Sequence, residues 1–302
     1  MLQNFGKVYE VIIKDSQLRR LVIGILLLLL LTALPSGKVV NRVPGKQVKT
    51  IVIDPGHGGL DPGCNGAGEI WEKAVTLAVS LKLGKMLEDS LQDVQVVFTR
   101  KTDKFVELWE RPHMANKIKA DLFISIHCNS NVNTTAAGSE TYFMGLHKSQ
   151  GNLDVAKREN SAIKFESNYK TNERYGGFDP NSPEGHIIFS LVQSAFLQQS
   201  LKFSMLVEAH TQRISKIKSR GVKQAGFLVL WQTAMPSVLV EIGFLTNAYD
   251  RSILKSEDGQ KRVARGIFRA VRQYKGELEK AAPATRTDDF VPSNRDSGDM
   301  HH

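Results

Sequence analysis

The chain has 302 residues, 41% of them hydrophobic and 24% charged, with a net charge of +9. That is enough apolar material for one large or two small packed domains, and it excludes a disordered or collagen-like chain. The basic residues are not interleaved with aromatic ones as in a single-strand binder, so nucleic acid is excluded as a partner.

Residues 21–34, LVIGILLLLLLTAL, form the first distinctive stretch, behind Lys7, Lys14, Arg19 and Arg20. Fourteen apolar residues behind a basic segment read as a signal-peptide core or as an uncleaved N-terminal membrane anchor. Pro35-Ser36-Gly37 offers small residues but no A-x-A site. In either case the charge pattern holds the N-terminus inside and sends the bulk of the chain out, to the periplasm or cell envelope. Residues 1–37 carry four bases and two acids, so the remainder is at +7. A basic exported domain suits an anionic polymer or a membrane surface, or simply has a soluble basic exterior. Residues 38–48 read as a polar, basic linker, and the main domain is expected over 49–278.

That domain opens on KTIVIDPGHGGLDPG, residues 49–63. Ile51-Val52-Ile53 read as a buried central strand that breaks into a glycine-rich turn carrying His57. Ligands bind at the carboxyl ends of strands in open α/β sheets, and glycines give a histidine nothing to pack against, so His57 is a candidate for chemistry. Asp54 is either a partner orienting a metal ligand or a turn residue closing the strand. Glu72 falls at the start of a helix with apolar period through Leu87, where capping alone would explain a carboxylate. Residues 94–99 read as a strand and 108–118 as a helix. Residues 120–130, ADLFISIHCNS, repeat the opening logic, a strand ending on a histidine, His127. Residues 138–144, 226–231 (GFLVLW) and 236–240 (PSVLV) are three more predicted strands. The last runs into Glu241, a carboxylate at the end of a buried run, which is costly without a partner. Long helices are expected over 187–217 and 251–274. Residues 279–302 read as a disordered tail. The two cysteines, Cys64 and Cys128, could pair in an exported protein or remain buried thiols. The element order predicts a single α/β domain with a mixed, mostly parallel sheet of about six strands flanked by helices.

Two imidazoles and two carboxylates at strand ends and a helix start are the inventory of a hydrolytic zinc site. IDPGHGG, Glu72-Lys73, SIHCNS, Arg220-Gly221 and VLVEIGFLTN, in that order, resemble the zinc-dependent N-acetylmuramoyl-L-alanine amidases of the amidase-3 family over residues 48–275. The resemblance implies one Zn2+ held by His57, Glu72 and His127, with Glu241 as the catalytic carboxylate. It implies peptidoglycan as substrate and hydrolysis of the amide joining muramic acid to L-alanine. Residues 146–186 are an insertion relative to the compact form of the family. In cell-division members an insertion at this place carries a helix that covers the zinc until an activator protein displaces it. The resemblance therefore implies a blocking carboxylate, Glu159 or Glu166, on a helix over 153–166, and an activator of the LytM-domain type. A substrate-binding or merely decorative loop is the alternative reading of the same residues. The rival functional classes are a zinc peptidase or deacetylase acting on cell-wall material, and a non-catalytic wall-binding regulator, which would be expected to lack one of the four site residues.

Overall fold

A computed structural model describes residues 47–67, 70–167 and 196–281. The expected leader or anchor, most of the linker, the second half of the insertion and residues 282–302 of the tail lie outside the described residues. Among the described residues, no helix is long and apolar enough to cross a membrane.

Six strands form one sheet: β1 (Thr50–Pro55), β4 (Gln95–Phe98), β5 (Leu122–Asn129), β6 (Ser139–Met144), β7 (Ser219–Ala225) and β8 (Ser237–Phe244). Their spatial order is β4-β1-β5-β8-β6-β7. Every neighbouring pair runs parallel except β6 and β8, which are antiparallel. This is the mixed, mostly parallel sheet the element order predicts. Two short strands, β2 (Asn65–Gly66) and β3 (Ile70–Trp71), form a separate ribbon leading into α1 (Glu72–Ser90). The other helices are α2 (Glu110–Lys117), α3 (Gln150–Asn160), α4 (Leu197–Ser215), α5 (Ala248–Lys255) and α6 (Glu257–Ala281).

Helices cover both faces, which is why β5 and β8 are buried at every position. On one face Ile51, Ile53, Leu122, Ile124, Val238 and Val240 pack with α1, α4 and α6. On the other, Val52, Phe123, Leu239 and Tyr142 pack with α2 and α3. Side chains alternate along a strand, so His127 and Glu241 fall on this second face, under α3.

Several boundaries differ from expectation. Residues 226–231 are not a strand. Asn160 clips this segment, its Nδ2 donating to the Gly226 carbonyl and its Oδ1 accepting from the Leu228 amide, each at 2.8 Å. Leu228–Leu230 then coil into a 3-10 turn buried in the second cluster. The true neighbouring strand, β7, is the polar run just before it, only partly buried because it is the sheet edge. A short apolar run cannot be assigned to strand or turn by periodicity alone. Strand β8 continues to Phe244, so Glu241 lies inside a strand and not at its end. The predicted closing helix is two, because Ser256 adopts an extended backbone after α5 and its Oγ accepts the Gly259 amide at the start of α6. That helix runs to Ala281, into the expected tail, and Val48 of the expected linker is buried in the core.

Candidate metal centre

The turn after β1 is gripped through its carbonyls. Arg100 donates to the Pro55 and Gly56 oxygens, and Arg111 to those of Pro55 and His57. Both guanidinium groups are buried, and Arg111 is neutralised by Asp54 at 2.8 Å. His57 is thereby held at φ 61, an uncommon backbone for a residue with a side chain. Gly56 is obligatory for a different reason: a Cβ there would lie 2.4 Å from the ring of His127. The two imidazoles meet edge-on across this gap, with centroids 4.8 Å apart.

Four donor atoms converge. His57 Nε2 lies 3.0 Å from Glu72 Oε1, 3.1 Å from Glu159 Oε2 and 3.2 Å from His127 Nδ1. His127 Nδ1 is 3.2 Å from Glu72 Oε1 and 2.9 Å from Glu159 Oε2. All four residues are buried, and their ligating atoms fall within 4.8 Å of one another. Four ligands about 2.0–2.1 Å from a tetrahedral ion stand about 3.3 Å apart, and the five separations that involve an imidazole nitrogen, 2.9–3.2 Å, are close to that edge, so the donor set suits a small divalent metal. Glu159 Oε2 is buried and makes no hydrogen bond of ordinary geometry, as expected of an oxygen facing a cation site.

The surrounding bonds orient these donors. His57 Nδ1 lies 2.7 Å from Asp61 Oδ2, which fixes the tautomer and turns Nε2 toward the cluster. Glu72 accepts the amides of Cys64 and Cys128, each at 2.8 Å, so its carboxylate cannot rotate away. Glu241 is the register partner of His127 on the next strand and is fully buried. Its Oε1 is 3.3 Å from Arg158 Nη2, while its Oε2 has no hydrogen bond.

A family model described as N-acetylmuramoyl-L-alanine amidase matches residues 51–273. The chain belongs to that family. The amidase AmiC of Escherichia coli is 32% identical over 237 residues, 76% of this chain and 55% of AmiC. AmiA of Escherichia coli K12 is 32% identical over 232 residues, 76% of each chain. The catalytic domain of CwlV, an amidase from Bacillus (Paenibacillus) polymyxa var. colistinus, superposes with a TM-score of 0.55 at 29% identity, covering 75% of this chain and 97% of that one.

The electrostatics of this donor cluster favour a cation. Burial alone would lower the pKa of His57, but Glu72, then Asp61 and Glu159, outweigh it and raise it well above the usual range. For His127, burial is again outweighed, chiefly by Glu159, and the pKa rises to about 9. Glu72 and Glu159 are pushed the other way, against their own burial, by His57 and by Arg158 respectively. Glu241 is raised well above the carboxylate range, by burial first and then by the charge of Glu159.

The structure thus brings together His57, Glu72, His127 and Glu159, with Glu241 alongside. Two expected candidates go elsewhere. Glu166 accepts the Leu108 amide at 2.6 Å, outside the donor set, because α3 ends at Asn160 and a 3-10 turn carries residues 161–165 off the helix axis. Asp54 is neither turn residue nor partner of a ligand. It sits within β1, held by Thr99, Arg111 and Ser125. The role weighed for it belongs to Asp61, whose only signal in the sequence is its place four residues after His57 in the same glycine-rich turn. Arg158 carries no signal in the sequence beyond adjoining Glu159. Both cysteines are free thiols, and Cys64 Sγ donates to the Cys128 carbonyl at 3.3 Å.

Proposed function

We propose that this chain is a zinc hydrolase that cleaves the amide between N-acetylmuramic acid and L-alanine in peptidoglycan, and that α3 holds it inactive. The observation that carries the proposal is the convergence of His57, Glu72 and His127 from a turn, a helix start and a strand end, with Glu241 one strand away on the same face. His57, Glu72 and His127 would hold the ion, which supplies Lewis-acid polarisation of the scissile carbonyl and acidifies a water. Glu241 accepts the proton of the attacking water and passes it to the departing amine.

A hydrolytic zinc site has three protein ligands and one open position, whereas a closed site has four. Glu159 supplies the fourth, and the adjacent Arg158 engages Glu241. Two successive residues of α3 thus occupy both halves of the chemistry. Activation requires α3 to leave, and an activator of the LytM-domain type is the partner the family resemblance supplies. The location is exported, in the periplasm or cell envelope, in keeping with a peptidoglycan substrate. A role in wall remodelling or cell separation follows from the same substrate.

The test pairs zinc analysis with peptidoglycan digestion by the chain, by Glu241→Gln and by Glu159→Ala. About one zinc per chain, release of stem peptides from intact glycan, loss of activity with retained metal in Glu241→Gln and a gain in Glu159→Ala are expected. A protein that binds no zinc overturns the site. Release of anything other than intact stem peptides selects a peptidase or deacetylase.

A further inference from the structure

Arg220 and Gly221 belong to the motifs that carry the family resemblance, yet the metal centre uses neither. Their place in the sheet explains what they can do. Between β6 and β7, Ser139 pairs with Ser219 and Thr141 pairs with Val222, so Arg220 and Gly221 together face the single residue Glu140. This is a β-bulge, and Gly221 takes φ 88 within it. Two residues three apart on a regular strand point to opposite faces. The extra residue cancels that alternation, and Arg220 Nε and Lys223 Nζ each come to 2.5 Å from the same oxygen, Glu140 Oε1. The hydroxyls of Ser139, Thr141 and Ser219 turn to the other face, onto Glu208.

The cluster lies next to the reaction centre. Glu140 is the register partner of Glu241, which is the register partner of His127. The three side chains stand in a row on the face under α3. Asn129 links the two groups directly: its Nδ2 donates to Glu140 Oε2 and its Oδ1 accepts from Arg158. Tyr142 fills the remaining position on Glu140 Oε2 at 2.7 Å.

The charges do not balance locally. One buried carboxylate faces two cations and already has two neutral donors, so one positive charge is surplus to holding Glu140 in place. Arg220 is 39% exposed and lies over the ring of Phe244 at 5.3 Å, which braces the guanidinium while leaving one edge toward solvent. Lys223 lies over the ring of Tyr142. Strands are about 4.8 Å apart, so β7 runs about 10 Å from the strand of Glu241. Two residues of extended peptide span about 7 Å, and the arginine reaches back across β6 to close the difference.

We propose that Arg220 and Lys223, aimed by the bulge and held on Glu140, form a subsite for a free carboxylate on the peptide leaving group, about two residues beyond the scissile amide. The assignment of that carboxylate to the leaving group rests on the amidase reading above. The subsite makes the enzyme selective for stem peptides whose second residue carries a free acid over those in which it is amidated.

The test is calorimetric binding of two tripeptides, L-alanyl-D-isoglutamyl-L-lysine and its isoglutaminyl counterpart, to the zinc-loaded full chain carrying Glu159→Gln. The free acid should bind at least about tenfold more tightly. Arg220→Gln and Lys223→Met should each bring that ratio close to one while leaving the amidated peptide within about twofold. Lys223→Met keeps the experiment decisive should Arg220→Gln fail to fold, because Arg220 still neutralises Glu140. Equal affinity of the parent for both peptides, binding of neither, or equal weakening of both by Lys223→Met overturns the proposal. Peptidoglycan digestion is scored separately. Preserved discrimination without digestion would count against the amidase reading, not against the carboxylate site.

Discussion

The four clustered donors come from parts of the fold that are held in different ways. His57, Glu72 and His127 are fixed by backbone: Arg100 and Arg111 grip the turn through its carbonyls, Glu72 accepts two main-chain amides, and His127 lies in a strand paired on both sides. Helix α3 has eleven residues and is held chiefly by side chains, namely Asn152, Val155, Ala156, Arg158, Glu159 and Asn160. The difference is what the proposed function requires, a preorganised site beneath a removable cover. Moving the ligands means breaking the sheet, whereas moving α3 means giving up a few contacts.

The strongest test of the comparison alters the chemistry without touching the frame. Glu241→Gln keeps the volume and removes the proton acceptor, and should lower hydrolysis by about 10³-fold. Zinc content should be unchanged, because Glu241 is not among the four clustered donors. Loss of metal together with activity would place Glu241 in the ligand set instead.

The next test breaks the cover alone. Glu159→Ala removes a charge-assisted contact worth about 1.5–3 kcal/mol, which corresponds to roughly a 10- to 100-fold shift toward the uncovered state. Basal digestion should rise accordingly. Arg158→Ala should raise it only a few-fold, since its contact with Glu241 is long, at 3.3 Å, and its loss leaves Glu159 in the metal position. Equal gains from the two would mean that blocking Glu241 matters as much as filling the metal position.

The same division separates what the residues reveal from what they conceal. His57 and His127 were legible because each ends a buried strand in small residues, and Glu241 because a carboxylate in an apolar run demands a partner. The sheet was legible from the same runs, except at residues 226–231, where burial among side chains and not pairing makes the segment apolar. The cover was only half legible. Glu159 and Glu166 are seven residues apart, two helical turns, so on a continuous helix they share a face and neither can be preferred. The structure separates them by ending α3 at Asn160, a stop that depends on the tertiary bonds of that asparagine to residues 226 and 228. Asp61 and the row formed by Glu241 and Glu140 depend on turn geometry and strand register, which a linear pattern does not carry.

Protonation offers a gentler perturbation. In the metal-free state the carboxylates around them outweigh burial and raise both rings, His127 to about 9 and His57 well above its usual range, which favours their protonated forms. A metal needs them neutral, so binding must expel protons. Apparent zinc affinity should therefore rise as pH rises through the titration of the two rings and fall as they take up protons. Calorimetry at pH 7 in buffers of different ionisation enthalpy should show a net release of protons on zinc binding. A flat pH profile would mean that the carboxylates, and not the imidazoles, dominate the site.

The smallest effect is expected at the hinge of the cover. Asn160 is buried, and its amide satisfies both a carbonyl and an N–H of the 226–228 segment. Asn160→Ala leaves two backbone groups to find water, at a cost of about 1–3 kcal/mol. That cost falls on the junction between α3 and the 3-10 turn, and no bond of β5 or β8 is involved. Amide exchange over residues 150–165 should accelerate by one to two decades, with protection in β5 unchanged and a modest rise in basal hydrolysis. Faster exchange in β5 to the same degree would show that α3 opens only when the sheet does. Helix α3 would then be part of the frame, and the uncovering of the metal could not be a local event.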